Sequence, residues 1–422
     1  MKQTKYAVIL LLIIASIKQL YAWDNLHFYR PPFVLYAEPH FERPGLTTFN
    51  VRVGAGGTRT SRNACSRKSC LLDIFGPQNM FKLGENVPGK DLTNPDDLIL
   101  QLLEVEPARQ GFGLFSFGGK FSIVEASIQF QQNFSDGFFF EFYMPIRRLQ
   151  LSNLFCTDLS SCATCPGSND PLWQGFLSQY GDILNRSCVS LCNQTVTGIG
   201  DTSLLLGWTT NYEETERIDF IDLTMQAGIL LPTARKMSLT QAFALPLGYN
   251  GHYGFPVNMS LALGMYEWLT FGGHAMALPF KKRCQQLRMK TSTPQNGWIK
   301  LAQGSANVDR GTLWHIGMYS KADHIIRGIS FLLGYSFATE RPWRIQPTNC
   351  QIFDAGVVTS DEEFRGWKMH TLHLIAEWDF LKENSLIGPR VGIFGNFVIG
   401  GQRIFNTQMG GGMFGLDLVW NY

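Results

Sequence analysis

Four thiols stand at metal-ligand spacing in the middle of the chain: Cys162-Ala-Thr-Cys165, then Cys188 and Cys192. Four thiolates suit a tetrahedral zinc ion. In an oxidising compartment the same residues pair as disulfides and staple long loops. Cys65, Cys70, Cys156, Cys284 and Cys350 bring the total to nine, an odd number, so one thiol stays free or pairs between chains. No histidine lies near the quartet, which favours disulfides over a metal. Enzyme chemistry finds less support. A nucleophile needs a base in reach, yet no HExxH, GxSxG or phosphate-cradling motif occurs. His315 and His373 are isolated in alternating segments, His274 sits in GGHAM, and His252 lies in a predicted loop. The chain reads as a non-enzyme with no cofactor and no resident metal.

The elements that carry these residues alternate with period two. FSIVEASIQFQQNF sets Val124, Ala126, Ile128 and Phe130 against Glu125, Ser127, Gln129 and Gln131. TTFNVRVGAG sets Phe49, Val51, Val53 and Ala55 against Asn50, Arg52 and Gly54. The same pattern recurs in FFFEFYMPI, DTSLLLGWTTNY, IDFIDLTMQAGILL, VNMSLALGMYEW, TLWHIGMYSK, GISFLLGYSF, TLHLIAEWDF and RVGIFGNFVIG. LTFGGHAMALPF alternates poorly and is placed by elimination. With the carboxyl-terminal segment these make about twelve strands, an even number.

A soluble sandwich also alternates, so the connections supply the second test. SDG, EETE, the link near Glu267–Leu269, ADH near Asp323 and KENSL are short. They alternate with long connections near 58–118, 153–200, 232–255, 281–310 and 339–366, which hold all nine cysteines. Only the link near Gln402–Gln408 breaks the sorting. Short turns on one side and long loops on the other mark an all-β, antiparallel, up-and-down transmembrane barrel of about twelve strands with long Cys-containing external loops. The amino end agrees: Lys2 and Lys5 precede the apolar run Ala7–Ile17, and a small residue follows at Ala22. Residues 1–22 therefore read as a cleaved signal peptide, since a spanning helix needs about 20 apolar residues. An uncleaved anchor is the alternative. Residues 23–43 read as a periplasmic lead-in, and 44–422 as the barrel.

On such a barrel the apolar face meets lipid and the polar face lines the lumen. Arg52, Glu125, Glu141, Asp222, Gln226, His315, His373, Glu377, Asp379, Arg390 and Asp417 are the expected lumen-lining residues. Both signs of charge occur among them, so the passage is wet. Phe414, Leu416, Leu418, Trp420 and Tyr422 form the outward face of the last strand. This segment resembles the carboxyl-terminal signal by which bacterial outer-membrane barrels are recognised by the barrel-assembly machinery. A net charge of +2 gives no field that would draw nucleic acid. In the second loop, Leu172, Trp173, Phe176, Leu177 and Tyr180 share a helical face within Pro171–Leu184, and Asp96–Glu104 reads as a second helix in the first loop.

A narrower resemblance lies mid-chain. TGIGDTSLLLGW (Thr197–Trp208) and LTMQAGILLPTA (Leu223–Ala234) resemble the outer-membrane transporter family linked to phenol degradation by the meta pathway. Gly200-Asp201 and Pro232-Thr233 match that family's pattern, while Ala234 stands where the family has glycine. The resemblance covers about Thr197–Phe280 and implies a bacterial outer-membrane barrel with small aromatic cargo. The function expected is a passive channel or transporter for small solutes, in the outer membrane of a Gram-negative-type bacterium. The alternative is a filled barrel whose disulfide-stapled loops serve adhesion or partner binding.

Overall fold

A computed structural model describes residues 45–80, 83, 113–159, 171–213, 218–326, 328–380 and 387–419. The expected signal peptide, the lead-in and the Asp96–Glu104 helix lie outside these residues. Twelve strands form the wall: β1 (Leu46–Thr58), β2 (Leu114–Asn133), β3 (Phe138–Asp158), β4 (Thr202–Glu213), β5 (Phe220–Leu231) and β6 (Val257–Met265). The second half comprises β7 (Leu269–Leu278), β8 (Leu313–Ile326), β9 (Ile329–Glu340), β10 (Trp367–Asp379), β11 (Ile387–Gln402) and β12 (Gln408–Val419). Each strand pairs antiparallel with the next, and β12 returns to pair with β1 from Leu46↔Val419 to Gly57↔Gln408. The sheet is thus a closed barrel, and closure removes the unpaired edges that an open sheet leaves.

Alternation decides which face of each strand turns inward, because successive side chains point to opposite sides of the sheet. Val124 is 49% exposed while its neighbour Glu125 is 2% exposed. Leu206, Met225, Met259, Leu261, Ile316, Met318, Leu333, Leu374 and Ile393 continue the exposed apolar belt around the wall. At the short-turn end the belt finishes in exposed aromatics: Phe134, Phe138, Tyr212, Tyr266, Trp268, Trp378 and Phe380. Phe155, Tyr253, Phe255 and Trp314 are exposed at or beyond the opposite end.

The loop end departs from the plain barrel read from the sequence. β2 and β3 are 20 and 21 residues long and stand above the rest of the wall. Gln194–Ile199, expected in the second loop, instead pairs with β3 as an upward continuation of β4. Two three-stranded sheets lie in the loops: Arg283–Arg288, Gln303–Asp309 and Arg344–Pro347 form one, and Thr60–Arg62, Lys68–Cys70 and Ile404–Phe405 the other. The second loop carries α1 (Pro171–Arg186), where Leu177 and Tyr180 pack with Ile183 and Leu184 against a shared apolar cluster.

That cluster explains how the loops are held. Leu71, Leu72, Phe243, Leu245, Leu301 and Phe405 come from four connections and pack on Phe121, Ile123, Leu149 and Leu151 of β2 and β3. The disulfide staples expected for the loops are not formed among the described residues: Cys65, Cys70, Cys156, Cys188, Cys192, Cys284 and Cys350 are exposed free thiols. Apolar burial does the holding instead. Cys162 and Cys165 lie outside the described residues.

Candidate functional site

Inside the lower barrel, toward the short turns, polar side chains join in one hydrogen-bonded ladder. Asn258 donates to Gln226 (3.0 Å), and Gln226 and Gln129 each donate to Glu141, at 2.9 and 3.0 Å. Asn50 donates to Gln129 (3.2 Å) and accepts from Arg390 (3.3 Å). Arg390 also pairs with Glu377 at 3.1 Å and with Asp417 at 3.0 Å, and Thr48 donates to Asp417. The ladder therefore runs from β6 to β10 by way of β5, β3, β2, β1 and β11. It crosses β12 at Gly415, where a β-carbon would stand 2.6 Å from Asn50 Oδ1 and 3.3 Å from Arg390 Nε.

Higher in the barrel, His274 and His315 stack with ring centroids 4.9 Å apart and share a 2.9 Å hydrogen bond. Gly317 leaves room for the His274 ring. His373 is held between Ser336 (2.7 Å) and Asn396 (2.8 Å). Buried Arg147 donates to Glu125 at 2.7 Å and to the Leu247 carbonyl at 3.0 Å, so the wall grips a loop directly. Arg52 and Asp222 are half-buried on β1 and β5, and Asp379 stands opposite Arg390 in the β10–β11 register. On β12, Phe414 is exposed and Leu416 and Leu418 are half-buried, alternating with buried Gly415 and Asp417; Trp420 and Tyr422 lie outside the described residues.

The upper mouth is filled by the loop of residues 232–256, and the Gly-Asp and Pro-Thr pairs singled out in the sequence form its latch. The Asp201 carboxylate accepts from the backbone N–H of Ala234 (3.1 Å) and of Tyr249 (2.5 Å). Thr233 donates to the Gly200 carbonyl at 2.6 Å. Burial raises the Asp201 carboxyl above its usual range, against the pull of these two N–H donors and of Arg147 and Arg310. A β-carbon on Gly248 would stand 2.5 Å from the same carboxylate, so this crossing admits only glycine without rearrangement.

Two arginines tie the loops together. Arg310, fully buried, meets Glu340 at 2.7 Å and lies over Tyr249, Phe280 and Trp343 at 4.5–4.9 Å. Trp343 and Trp367 both donate to the same Glu340 carboxylate. Arg288 donates to the carbonyls of Ser187, Cys188, Leu239, Lys300 and Leu301, which belong to three different stretches of chain. Lys300 is buried between Asp361 (2.7 Å) and Glu363; burial alone would lower its ammonium, yet the two carboxylates raise it. His252 is completely enclosed, and burial, with Arg310 next, lowers it to about 4.

Between these anchors lies an apolar cavity of about 50 Å³. Leu72, Leu151, Phe243, Leu245, Trp298 and Phe405 line it, with Glu363 and Asn250 among its few polar neighbours. Sequence reasoning missed both the cavity and the arginine hubs. Arg288 reaches carbonyls 12 to 101 residues away and the cavity brings Leu72 to Phe405, and no local periodicity encodes such meetings.

No protein-family model matches this sequence, and no curated protein matches it either. Among solved structures, an outer membrane channel from Pseudomonas putida F1 is similar at 10% identity, covering 90% of this chain and 98% of that chain with a TM-score of 0.46. The toluene transporter TbuX from Ralstonia pickettii is similar at 9% identity, covering 90% of each chain with a TM-score of 0.34. A mutant of the monoaromatic hydrocarbon channel TodX is similar at 9% identity, covering 96% of each chain with a TM-score of 0.35.

Proposed function

We propose that this chain is an outer-membrane barrel of a Gram-negative-type bacterium that admits small, mainly apolar solutes through its loop end. The exposed apolar belt supports the membrane placement: oily side chains circle a closed wall whose polar groups turn inward. The aromatics at the short-turn end suit one interface of a bilayer. The alternating outer face of β12 supports recognition by the barrel-assembly machinery.

The observation that carries the solute reading is the apolar cavity enclosed by the loops and seated above a polar ladder. An apolar molecule would be held in the cavity, and the wet lower lumen would lead it toward the periplasm. Size sets the terms. At about 50 Å³ the cavity is far smaller than the ~150 Å³ that holds benzene in a protein interior. Admission of an aromatic ring therefore requires Phe243 or Trp298 to move aside.

Titration of the detergent-solubilised protein with benzene or toluene, followed by Trp298 fluorescence, tests this reading. Phe243→Ala enlarges the cavity and is expected to strengthen binding. Equal, negligible response in both proteins would remove the cavity as a solute site. A second reading has its own support: Arg288 and Arg310 fasten the loops into a rigid external body, as a filled scaffold for partner binding would need. Planar-bilayer recording separates the two, because a scaffold conducts no ions while a solute channel gives reproducible steps.

A further inference from the structure

We propose that a basic patch at the loop end of β1–β3 docks the phosphorylated headgroup of an outer-leaflet glycolipid. This rests on the membrane placement proposed above and adds a specific lipid partner to it. Lys120 on β2 and Arg148 on β3 are exposed at outward-facing positions. Arg148 stands opposite Val124, and Lys120 opposite Ser152. Arg59 is exposed one residue beyond the last β1–β2 pair, Thr58↔Phe121, which sets it beside Lys120. Cations side by side on neighbouring strands repel each other. An anion between them turns that repulsion into binding.

The adjoining hairpin extends the patch. Thr60–Arg62 pairs with Lys68–Cys70 and presents Arg67 and Lys68 to solvent. Arg62 donates to the Ile399 carbonyl of β11 at 3.2 Å, and Ile399 itself is 52% exposed, so the hairpin is held out over the wall. No Asp or Glu occurs between Gly45 and Cys70. Glu125 and Glu141 on β2 and β3 are buried on the inner face, and Asp158 lies at the loop-end tip of β3, opposite Phe115 and beyond the Lys120↔Ser152 pair. Val124, level with Arg148, is 49% exposed, and just below it Val53 and Ile146 are 52% and 38% exposed. Cations above an apolar wall fit a phosphate headgroup above acyl chains, and guanidinium groups grip phosphate through paired N–H donors. The apolar platform is what distinguishes a lipid from free phosphate.

The test uses the full chain in detergent micelles and native mass spectrometry, with diphosphoryl lipid A, the same lipid dephosphorylated, and inorganic phosphate as probes. The wild type is expected to retain diphosphoryl lipid A in preference to the dephosphorylated lipid. The triple variant Arg59→Gln, Lys120→Gln, Arg148→Gln is expected to lose on the order of a hundred-fold in affinity, from roughly fivefold per removed cation. Removing two distant exposed cations, Arg235→Gln with Lys281→Gln, should leave binding intact. Unchanged affinity in the triple variant, equal binding of the dephosphorylated lipid, or displacement of the lipid by inorganic phosphate would each overturn the proposal. Gel mobility before and after heating reports whether each variant is a folded barrel. A wild type that stays soluble and folded without detergent would count against the membrane placement instead.

Discussion

His252 is a neutral group locked in a place that penalises its charge. Burial contributes most to that penalty, followed by the Arg310 guanidinium, while the hydrogen bond with the Lys281 carbonyl opposes it. Its value falls from 6.5 in the open chain to about 4 in the fold, so the stability it contributes is present above pH 6.5 and is lost as pH drops toward 4. That drop of about 2.5 pH units corresponds to about 3 kcal/mol. Protease sensitivity of the loops should rise as pH falls through this window, and His252→Gln should flatten that dependence. Asp201 is open to a separate check. Asp201→Ala strands the buried N–H groups of Ala234 and Tyr249, at about 1–3 kcal/mol each. Limited proteolysis is expected to cut within residues 232–256 of that variant while the wall stays intact, and Asp201→Asn should be cut less. The Gly200-Asp201 and Pro232-Thr233 pairs stood out in the sequence, but their meeting did not. His252 carried no signal at all, because Phe280 and Trp343, which enclose it, lie in other connections.

Strands were the most legible elements. Val124 beside Glu125 or Ile393 beside Gly392 declares its face by alternation alone, and a one-residue slip would put charge into the oily face. The upper parts of β2 and β3 were not legible for the same reason reversed. From Phe115 to Gly119 both parities are apolar, small or hydroxylic, since the inner side meets loops rather than water. Gly415 shows what alternation cannot say about contact across a strand. Gly415→Val would push a side chain into the path of Arg390 and Asn50, and overpacking of this kind costs about 1–3 kcal/mol. The expected result is a lower temperature for the heat-dependent gel shift. The 232–256 connection makes an opposite forecast. Replacing Ser238–Asn250 with a short Gly-Ser linker removes Phe243, Leu245 and Leu247 from the mouth, and ion conductance should rise severalfold in planar bilayers while the wall remains folded.

At the scale of the whole molecule, the interior grades from apolar at the loop end to polar at the short turns, while the exterior is oily in the middle and aromatic at its lower rim. Lipids with brominated acyl chains should quench the exposed Trp208, Trp314 and Trp378, whereas Trp298, held by the Leu72 carbonyl within the cap, should be spared. Uniform quenching, or none, would contradict a bilayer around this wall. The β1–β12 seam has a consequence for how the chain matures. Leu46 and Val419 become partners only after all twelve wall strands have been made, so the ring cannot shut progressively as each hairpin emerges. Contacts of such sequence separation are slow to form. Until they do, the two terminal strands offer unpaired edges to other copies of the chain, so this protein should need an escort between synthesis and insertion, and its aggregation should be limited by the lifetime of that open ribbon.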